Sequence, residues 1–361
     1  MTEMLFGELQ GQPLAQRLLV AALENRRLAP AYLFSGPDGV GRRLAALRFL
    51  EGLLGGGHST PRERRRLEER NHPDLLWVEP TYNHQGRLIP RSEAESMGVS
   101  KRTPPQVRLE QIRELSRFLA RQPLQSPRGL VILEQPEAMA EGAANALLKT
   151  LEEPGHGLLI LLSAAPERLL TTIRSRCQQI RFTRLSEECM RSVLAQLPEG
   201  QGEQALGLAA SHPELLALAG GSPGALLDHV RMWDSIPEEL RQRLQTLPTT
   251  PLQALGLARD VSEQLEGDQQ LWMINWWQHH LWNASSQPER LKRLDRLRQH
   301  LLSFVQPRLA WEVALLDHLD MLLTSRGRCC AGPLARPAQR AEGRGRAAGG
   351  GLARRHAGRQ P

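Results

Sequence analysis

The sequence has few cysteines and no paired ones. Cys177, Cys189, Cys329 and Cys330 form no CxxC motif and no spacing that reads as a disulfide framework. That excludes a disulfide-stapled secreted scaffold, and a reducing cytoplasm is the simple expectation. Long apolar runs are also lacking. The longest, Gly157 to Pro166, falls far short of the roughly 18 residues that a membrane span requires. The start, Met1-Thr2-Glu3-Met4-Leu5-Phe6, carries an acid and lacks the basic-then-apolar order of a signal peptide. Acids are scarce near the end: Arg326 to Pro361 holds nine arginines, no lysine and a single acid, Glu342. The whole chain carries a net charge of +7, so Met1 to Ser325 is close to neutral. The basic excess belongs to the tail, and the overall charge is no argument for a DNA-binding body.

What is present is an ordinary globular composition, 361 residues with 40% hydrophobic residues and 31 glycines. At roughly 150 residues per domain this allows two to three domains. The first half alternates helical and strand patterns. Leu14, Leu18, Leu19 and Ala22 recur at helical spacing, and so do Leu44, Leu47, Leu50 and Leu54. Five short apolar runs read as buried strands: Ala31 to Phe34, Leu75 to Glu79, Leu130 to Glu134, Leu158 to Ser163 and Gln179 to Phe182. Helical patterns at Gln106 to Arg121 and Glu141 to Glu152 lie between them. Such alternation argues for a parallel sheet covered on both faces. Thr81 to Pro105 has no period and is broken by prolines and glycines, which predicts a surface insertion.

After about Arg184 the strand signals stop. Ser186 to Leu197, Pro213 to Gly220 and Ser222 to Met232 read as short helices, with a tight turn near Gly220 to Gly224. Longer helical patterns follow at Pro237 to Leu247, Pro251 to Gln264, Asp268 to Trp282, Gln287 to Phe304 and Pro307 to Leu323. Trp272, Trp276, Trp277, Trp282 and Trp311 fall among them and suit a helical-bundle core with an interface. The residues from Ser325 onward offer no hydrophobic face and are expected to be disordered.

The segment that carries chemistry is Gly36-Pro37-Asp38-Gly39-Val40-Gly41-Arg42-Arg43, between a buried strand and a helix. In that context backbone N–H groups converge on a phosphate. Gly36 and Gly41 have the spacing of GxxxxGK[ST]. The chemical positions differ. Arg42 stands where a lysine reaches the terminal phosphates, and Arg43 where a hydroxyl holds Mg²⁺; arginine has no acceptor to offer a metal. The loop either serves the fold as a tight turn or keeps a residual affinity for phosphate. The run Leu130-Val131-Ile132-Leu133 ends in Glu134-Gln135 where Asp-Glu is usual. A glutamine cannot accept the proton of an attacking water.

With these segments in place the sequence resembles the clamp-loader subunits of bacterial DNA polymerase III, members of the AAA+ family. The resemblance rests on Leu9-Gln10-Gly11-Gln12, Ala31-Tyr32-Leu33-Phe34-Ser35-Gly36, His72-Pro73-Asp74, Asn145-Ala146-Leu147-Leu148-Lys149-Thr150-Leu151-Glu152-Glu153-Pro154 and Arg174-Ser175-Arg176-Cys177. It covers about Leu5 to Leu323, and the degenerate phosphate loop favours the delta-prime, or stator, branch over the motor. The resemblance implies a RecA-like AAA+ domain with a five-stranded parallel sheet (residues 1–184), a small helical lid (185–234) and an all-α collar domain (235–324). The basic tail follows at 325–361.

It further implies a hetero-pentamer with motor (gamma/tau) and delta subunits, the beta sliding clamp and primed DNA as partners, and a place in the cytoplasmic replisome of a bacterium. Active members end the lid with Gly-Ser-x-Arg, whereas this chain has Gly221-Ser222-Pro223-Gly224, so Gly224 replaces a phosphate-sensing arginine. Relatives often carry a four-cysteine zinc module, but Gly52 to Asn71 holds no cysteine. Structural zinc takes about four N or S ligands, so none is expected, and Arg62 to Arg70 reads as a charged, solvated helix.

Arg176 of Ser175-Arg176-Cys177 is the expected trans arginine finger toward a neighbour's ATP; read from the residues alone it is a surface arginine capping local structure. Cys177 reads as a small apolar residue, and Lys149 as facing either DNA or solvent. The expected function is a non-hydrolysing stator that binds no nucleotide of its own stoichiometrically while neighbouring subunits use ATP–Mg. No autonomous ATPase is expected, although the chain would be a subunit of a DNA-directed DNA polymerase assembly. The competing readings are an active AAA+ ATPase, such as the motor subunit or a junction-migration motor, and a stand-alone DNA-binding protein using its tail.

Overall fold

The computed structural model describes residues 2–84, 86–94, 96–99, 104–197, 200–246, 248–285, 288–303 and 305–329. The first half contains seven strands: β1 Ala31–Ser35, β2 Leu75–Val78, β3 Thr81–His84, β4 Arg87–Pro90, β5 Leu130–Glu134, β6 Leu158–Ser163 and β7 Gln178–Arg181. Five of them form a parallel sheet in the order β2-β5-β6-β1-β7, made from the five apolar runs expected to be strands. Its helices are α1 Thr2–Leu5, α2 Pro13–Glu24, α3 Arg42–Leu54, α4 Pro61–Glu68, α5 Leu109–Leu119, α6 Glu141–Glu152 and α7 Thr171–Ser175.

Successive side chains along a strand point to opposite faces. Tyr32 and Phe34 therefore pack in one layer with Phe49 and Leu50 of α3. Ala31 and Leu33 pack in the other, with Ile112 and Leu115 of α5 and Leu147 of α6. Both faces of the central strands β1, β5 and β6 are covered, which is why these read as continuous apolar runs, whereas the edge strand β7 buries only Ile180. Each fully buried Leu, Ile or Phe contributes about 1.5–3 kcal/mol to this core.

Among the described residues no strand follows β7. Helices α8 Glu187–Ala195, α9 Gln201–Ser211, α10 Pro213–Ala219 and α11 Pro223–Asp234 come next. They lead into α12 Glu238–Gln245, α13 Pro251–Gln264, α14 Gly267–Ser285, α15 Pro288–Leu302 and α16 Pro307–Cys329. Trp276, Trp277 and Trp311 are fully buried among these last helices, while Trp282 stays 45% exposed. α16 runs through Ser325 to Cys329, past the point where the tail was expected to start; residues 330–361 lie outside the described residues. Among the described residues no helix is long and apolar enough to cross a membrane.

Three local differences from the sequence reading have physical reasons. Thr81 to Pro105, expected as an insertion without regular structure, contains the antiparallel β3–β4 hairpin, with Tyr82 opposite Ile89. Those two residues join Ala94 and Val99 in a separate small core, too short in sequence to show a period. Helix α9 had no expectation because Gly200, Gly202 and Gly207 weaken its pattern. Gly202 is there for close approach: a Cβ on it would fall 1.8 Å from the Leu194 carbonyl oxygen. Helix α4 forms as expected, but its charges are not simply solvated. Arg64 and Glu68 join Glu8 in an ion cluster around the buried Arg48 and Glu51.

Candidate functional site

The phosphate loop runs from the end of β1 into α3, with Gly41 as the residue before the helix. It lines a cleft of about 310 Å³ together with Glu134, Gln135 and Leu162. This is the place in the fold where a nucleotide phosphate would sit, at strand ends and a helix N-terminus. Each arginine of the loop has one partner and spare donors: Arg42 Nη1 is buried with no hydrogen-bond partner among the described residues, and Arg43 is exposed. Arg42 is buried and its guanidinium pairs with Asp38, one helical turn back. Burial depresses its pKa, and Asp38 only partly offsets that. Arg43 lies over the ring of Trp77, 4.7 Å from its centroid. Arg70 stacks on the same ring at 4.4 Å and pairs with Glu79 at 2.7 Å. Such cation–π contacts fix a guanidinium without using any acceptor.

The acidic strand end is committed in the same way. The Trp77 indole N–H donates to Glu134 Oε1 at 3.1 Å. Gln135 adopts a left-handed backbone with φ of 48°, and its N–H donates to the Leu162 carbonyl at 2.9 Å. Glu137, which had no expectation attached, accepts N–H bonds from Ala164 at 2.9 Å and Ala165 at 3.3 Å and ties the ends of β5 and β6.

The start of α11 is docked on the loop. Ser222 Oγ donates to the Asp38 carbonyl at 2.5 Å and accepts from the Ala225 N–H. The Gly224 N–H donates to the Gly39 carbonyl at 3.1 Å. A Cβ on Gly224 would stand 2.6 Å from Gly39 Cα, so the position has no room for any side chain, let alone an arginine. Gly39, with φ of +74°, is equally closed by Ala225 and Gly224. From the other side, the buried Gln12 amide donates to the carbonyls of Thr183 at 2.7 Å and Val40 at 3.3 Å, and accepts the Thr183 N–H. The loop positions do not fit a magnesium–nucleotide: Arg43 stands where a hydroxyl would hold the metal, and Gly224 has no room for a side chain. The Gly-Ser-Pro run before α11 was the available sequence signal for the Ser222 cap; Gln12 stood in the Leu9-Gln10-Gly11-Gln12 run without a role attached, and Trp77 gave no signal.

The Ser175-Arg176-Cys177 run lies just before β7, at the end of the parallel strands opposite the phosphate loop that follows β1. Arg176 closes α7 and remains exposed. Its Nη1 donates to the Thr172 carbonyl at 3.1 Å, and its Nη2 to Glu152 Oε1 at 2.8 Å. Ser175 Oγ donates to the same Thr172 carbonyl at 3.1 Å. Cys177 packs against the core beneath α5 and α6, and burial pushes its thiol up to about 12, far from a nucleophile. Lys149 is exposed and lines an open groove between α5 and α6 with Arg113 and Arg117, beside Asn145, Ser116 and Glu153. Among the described residues no group of three or more His, Cys, Asp or Glu side chains is arranged to hold a metal ion. The stretch Gly52 to Asn71 offers no thiolate and does not fit a structural zinc.

A family model described as DNA polymerase III, delta subunit, matches residues 11–186. One described as cyanobacterial DNA polymerase III delta prime, C-terminal domain, matches residues 188–318. The chain is 34% identical over 189 residues to the DNA polymerase III subunit delta' of Bacillus subtilis, covering 51% of each chain. It is 36% identical over 202 residues to that of Pseudomonas aeruginosa, covering 54% of each. These alignments span about half the length of the curated relatives. A DNA polymerase III gamma subunit-related protein of Thermotoga maritima has the same fold, with a TM-score of 0.50 at 19% identity, over 85% of this chain and 99% of that one. The chain belongs to the DNA polymerase III delta-prime family of AAA+ clamp-loader subunits.

Proposed function

We propose that the chain is a non-hydrolysing stator of a clamp loader. In this reading it presents Arg176 to ATP–Mg bound by a neighbouring motor subunit and helps place a beta sliding clamp on primed DNA. The observation that carries the reading is the contrast between its two arginine sites. In the phosphate loop Arg42 and Arg43 stand at the lysine and hydroxyl positions that a magnesium–nucleotide uses, Arg42 buried against Asp38 and Arg43 over Trp77. Arg176 is exposed and, beyond its bonds to Glu152 and the Thr172 carbonyl, keeps a fixed, planar positive charge that can reach an anion outside the chain. The basic side of the α5–α6 groove, with Arg113, Arg117 and Lys149, supports a place for a DNA backbone in the assembled ring.

Two measurements test this. The purified chain given Mg²⁺–ATP is expected to show no turnover above background. A rate near the enzyme median of about 10 per second, lost on substitution of Gly41, would overturn the reading in favour of an active ATPase. A loader assembled with Arg176→Ala is expected to lose part of its DNA-stimulated hydrolysis and more of its clamp loading. Fingers supplied in trans contribute roughly 10³ to 10⁵ in rate at the site they serve, and the other sites of the loader remain untouched. Unchanged rates in both assays would remove the stator mechanism.

A further inference from the structure

We propose that Glu152 is the positioning residue for Arg176: its carboxylate holds the guanidinium in the orientation from which it meets a phosphate of the neighbouring subunit. The proposal rests on the reading of Arg176 as an arginine presented in trans. Glu152 ends α6 and Arg176 closes α7, so two motifs separate in the sequence meet in one ion pair.

Both terminal nitrogens of the guanidinium are anchored, and from different elements. Nη2 donates to Glu152 Oε1 at 2.8 Å, and Nη1 donates to the Thr172 carbonyl at 3.1 Å. A guanidinium carries five N–H donors in a planar fork. Two are used here, and the Nε–H and one hydrogen on each Nη have no acceptor among the described residues. The spare donors match the bidentate, charge-assisted bonding of phosphate oxygens. The anchors remove rotamer freedom that would otherwise be lost at the moment of reaction, when the reacting geometry has to be narrow. The pair is also shallow, with the Arg176 side chain 36% and the Glu152 side chain 52% exposed. An ion pair at such exposure is weak, so it orients the arginine without competing away a polyanionic phosphate.

The experiment is a double-mutant cycle in the assembled loader, with Glu152→Gln, Arg176→Ala and the two combined. Glu152→Gln is expected to lower the DNA-stimulated kcat by about two- to fivefold, the range of an exposed ion pair, with KM for ATP unchanged. Arg176→Ala is expected to lower kcat further, and the double variant to match Arg176→Ala alone. Glu152→Asp is expected to recover part of the loss. Assembly and melting temperature are measured beside each rate. An unchanged or raised rate in Glu152→Gln overturns the proposal. So does a Glu152→Gln loss that persists undiminished in the Arg176→Ala background, because the carboxylate would then act independently of the arginine. If Arg176→Ala alone leaves the rate unchanged, the trans-arginine reading itself fails, a result separate from the other two.

Discussion

Asp74 shows how one carboxylate can hold a loop against the sheet. It accepts the backbone N–H groups of Leu124 at 2.6 Å, Gln125 at 2.7 Å and Ser126 at 2.7 Å. Burial by itself would raise its carboxyl, but these donors outweigh it and hold the group below its ordinary 3.8. Its neighbour His72 accepts the Asp74 N–H on Nδ1, and burial first, then Arg66, pushes it below its ordinary 6.5. Both groups bind protons more readily in the unfolded chain. The stability they contribute is therefore present above the unfolded values and is lost as pH falls. Urea midpoints are expected to stay level between about pH 7 and 8, to decline below about 6.5 as His72 and the similarly depressed His212 and His229 take up protons in the unfolded state, and to drop again below about 4 with Asp74. Asp74→Ala is expected to cost about 1–3 kcal/mol at neutral pH, because it strands the buried Ser126 N–H and loosens two part-buried donors. A loss under 1 kcal/mol by urea denaturation would show that water replaces the carboxylate.

The pair α3–α4 is bridged by charged side chains. Arg48, with a side chain only 5% exposed, reaches Glu8 at 2.7 Å, Glu68 at 2.9 Å and the wholly buried Glu51 at 3.4 Å. Arg64 of α4 reaches Glu51 at 3.1 Å and Glu8 at 3.0 Å, so the helix is stapled to both α3 and the N-terminal segment. This cluster occupies the stretch where the family resemblance would place a zinc module. Metal analysis of the purified chain is expected to find no stoichiometric zinc, and chelators to leave its melting temperature unchanged. Arg48→Met is expected to cost about 1–3 kcal/mol, since it leaves the buried Glu51 with Arg64 as its one cation while the exposed Glu8 and Glu68 return to water. One zinc per chain, or an Arg48→Met variant as stable as the parent, would contradict this account.

Across the whole molecule, a single apolar cluster runs from the α3 face of the sheet through α8–α11 to the tryptophans of α14 and α16. The latch of Ser222 and Gly224 on the phosphate loop joins the same parts by hydrogen bonds. Residues 330–361 contribute no apolar face by composition, and their arginines far outnumber the single Glu342. A chain ending at Cys329 is expected to melt as the full chain does and to assemble equally well. It is expected to lose a salt-sensitive, sequence-independent affinity for DNA, with the salt slope falling by about 0.9 for each phosphate contact removed. Fluorescence binding at several salt concentrations, beside thermal melts, measures both. Failure to assemble would make the tail structural.

Apolar runs determined the strands from sequence alone, because a strand buried on both faces has no polar position to interrupt it. Residue types likewise determined the missing chemistry: an arginine cannot ligate magnesium, and a glutamine cannot take a proton, wherever they point. Only the tertiary structure decided where the replaced groups went. Arg43 rests on Trp77, Gly224 on Gly39, and Arg176 on Glu152, each pair brought together by the packing of separate elements. Periodicity reports which face of an element is buried, but not which distant element covers it. The same limit concealed the β3–β4 hairpin, whose small core is built from residues on two short strands and a following turn. It also concealed helix α9, where a glycine that weakens the helix locally is required by the backbone of α8 pressed against it.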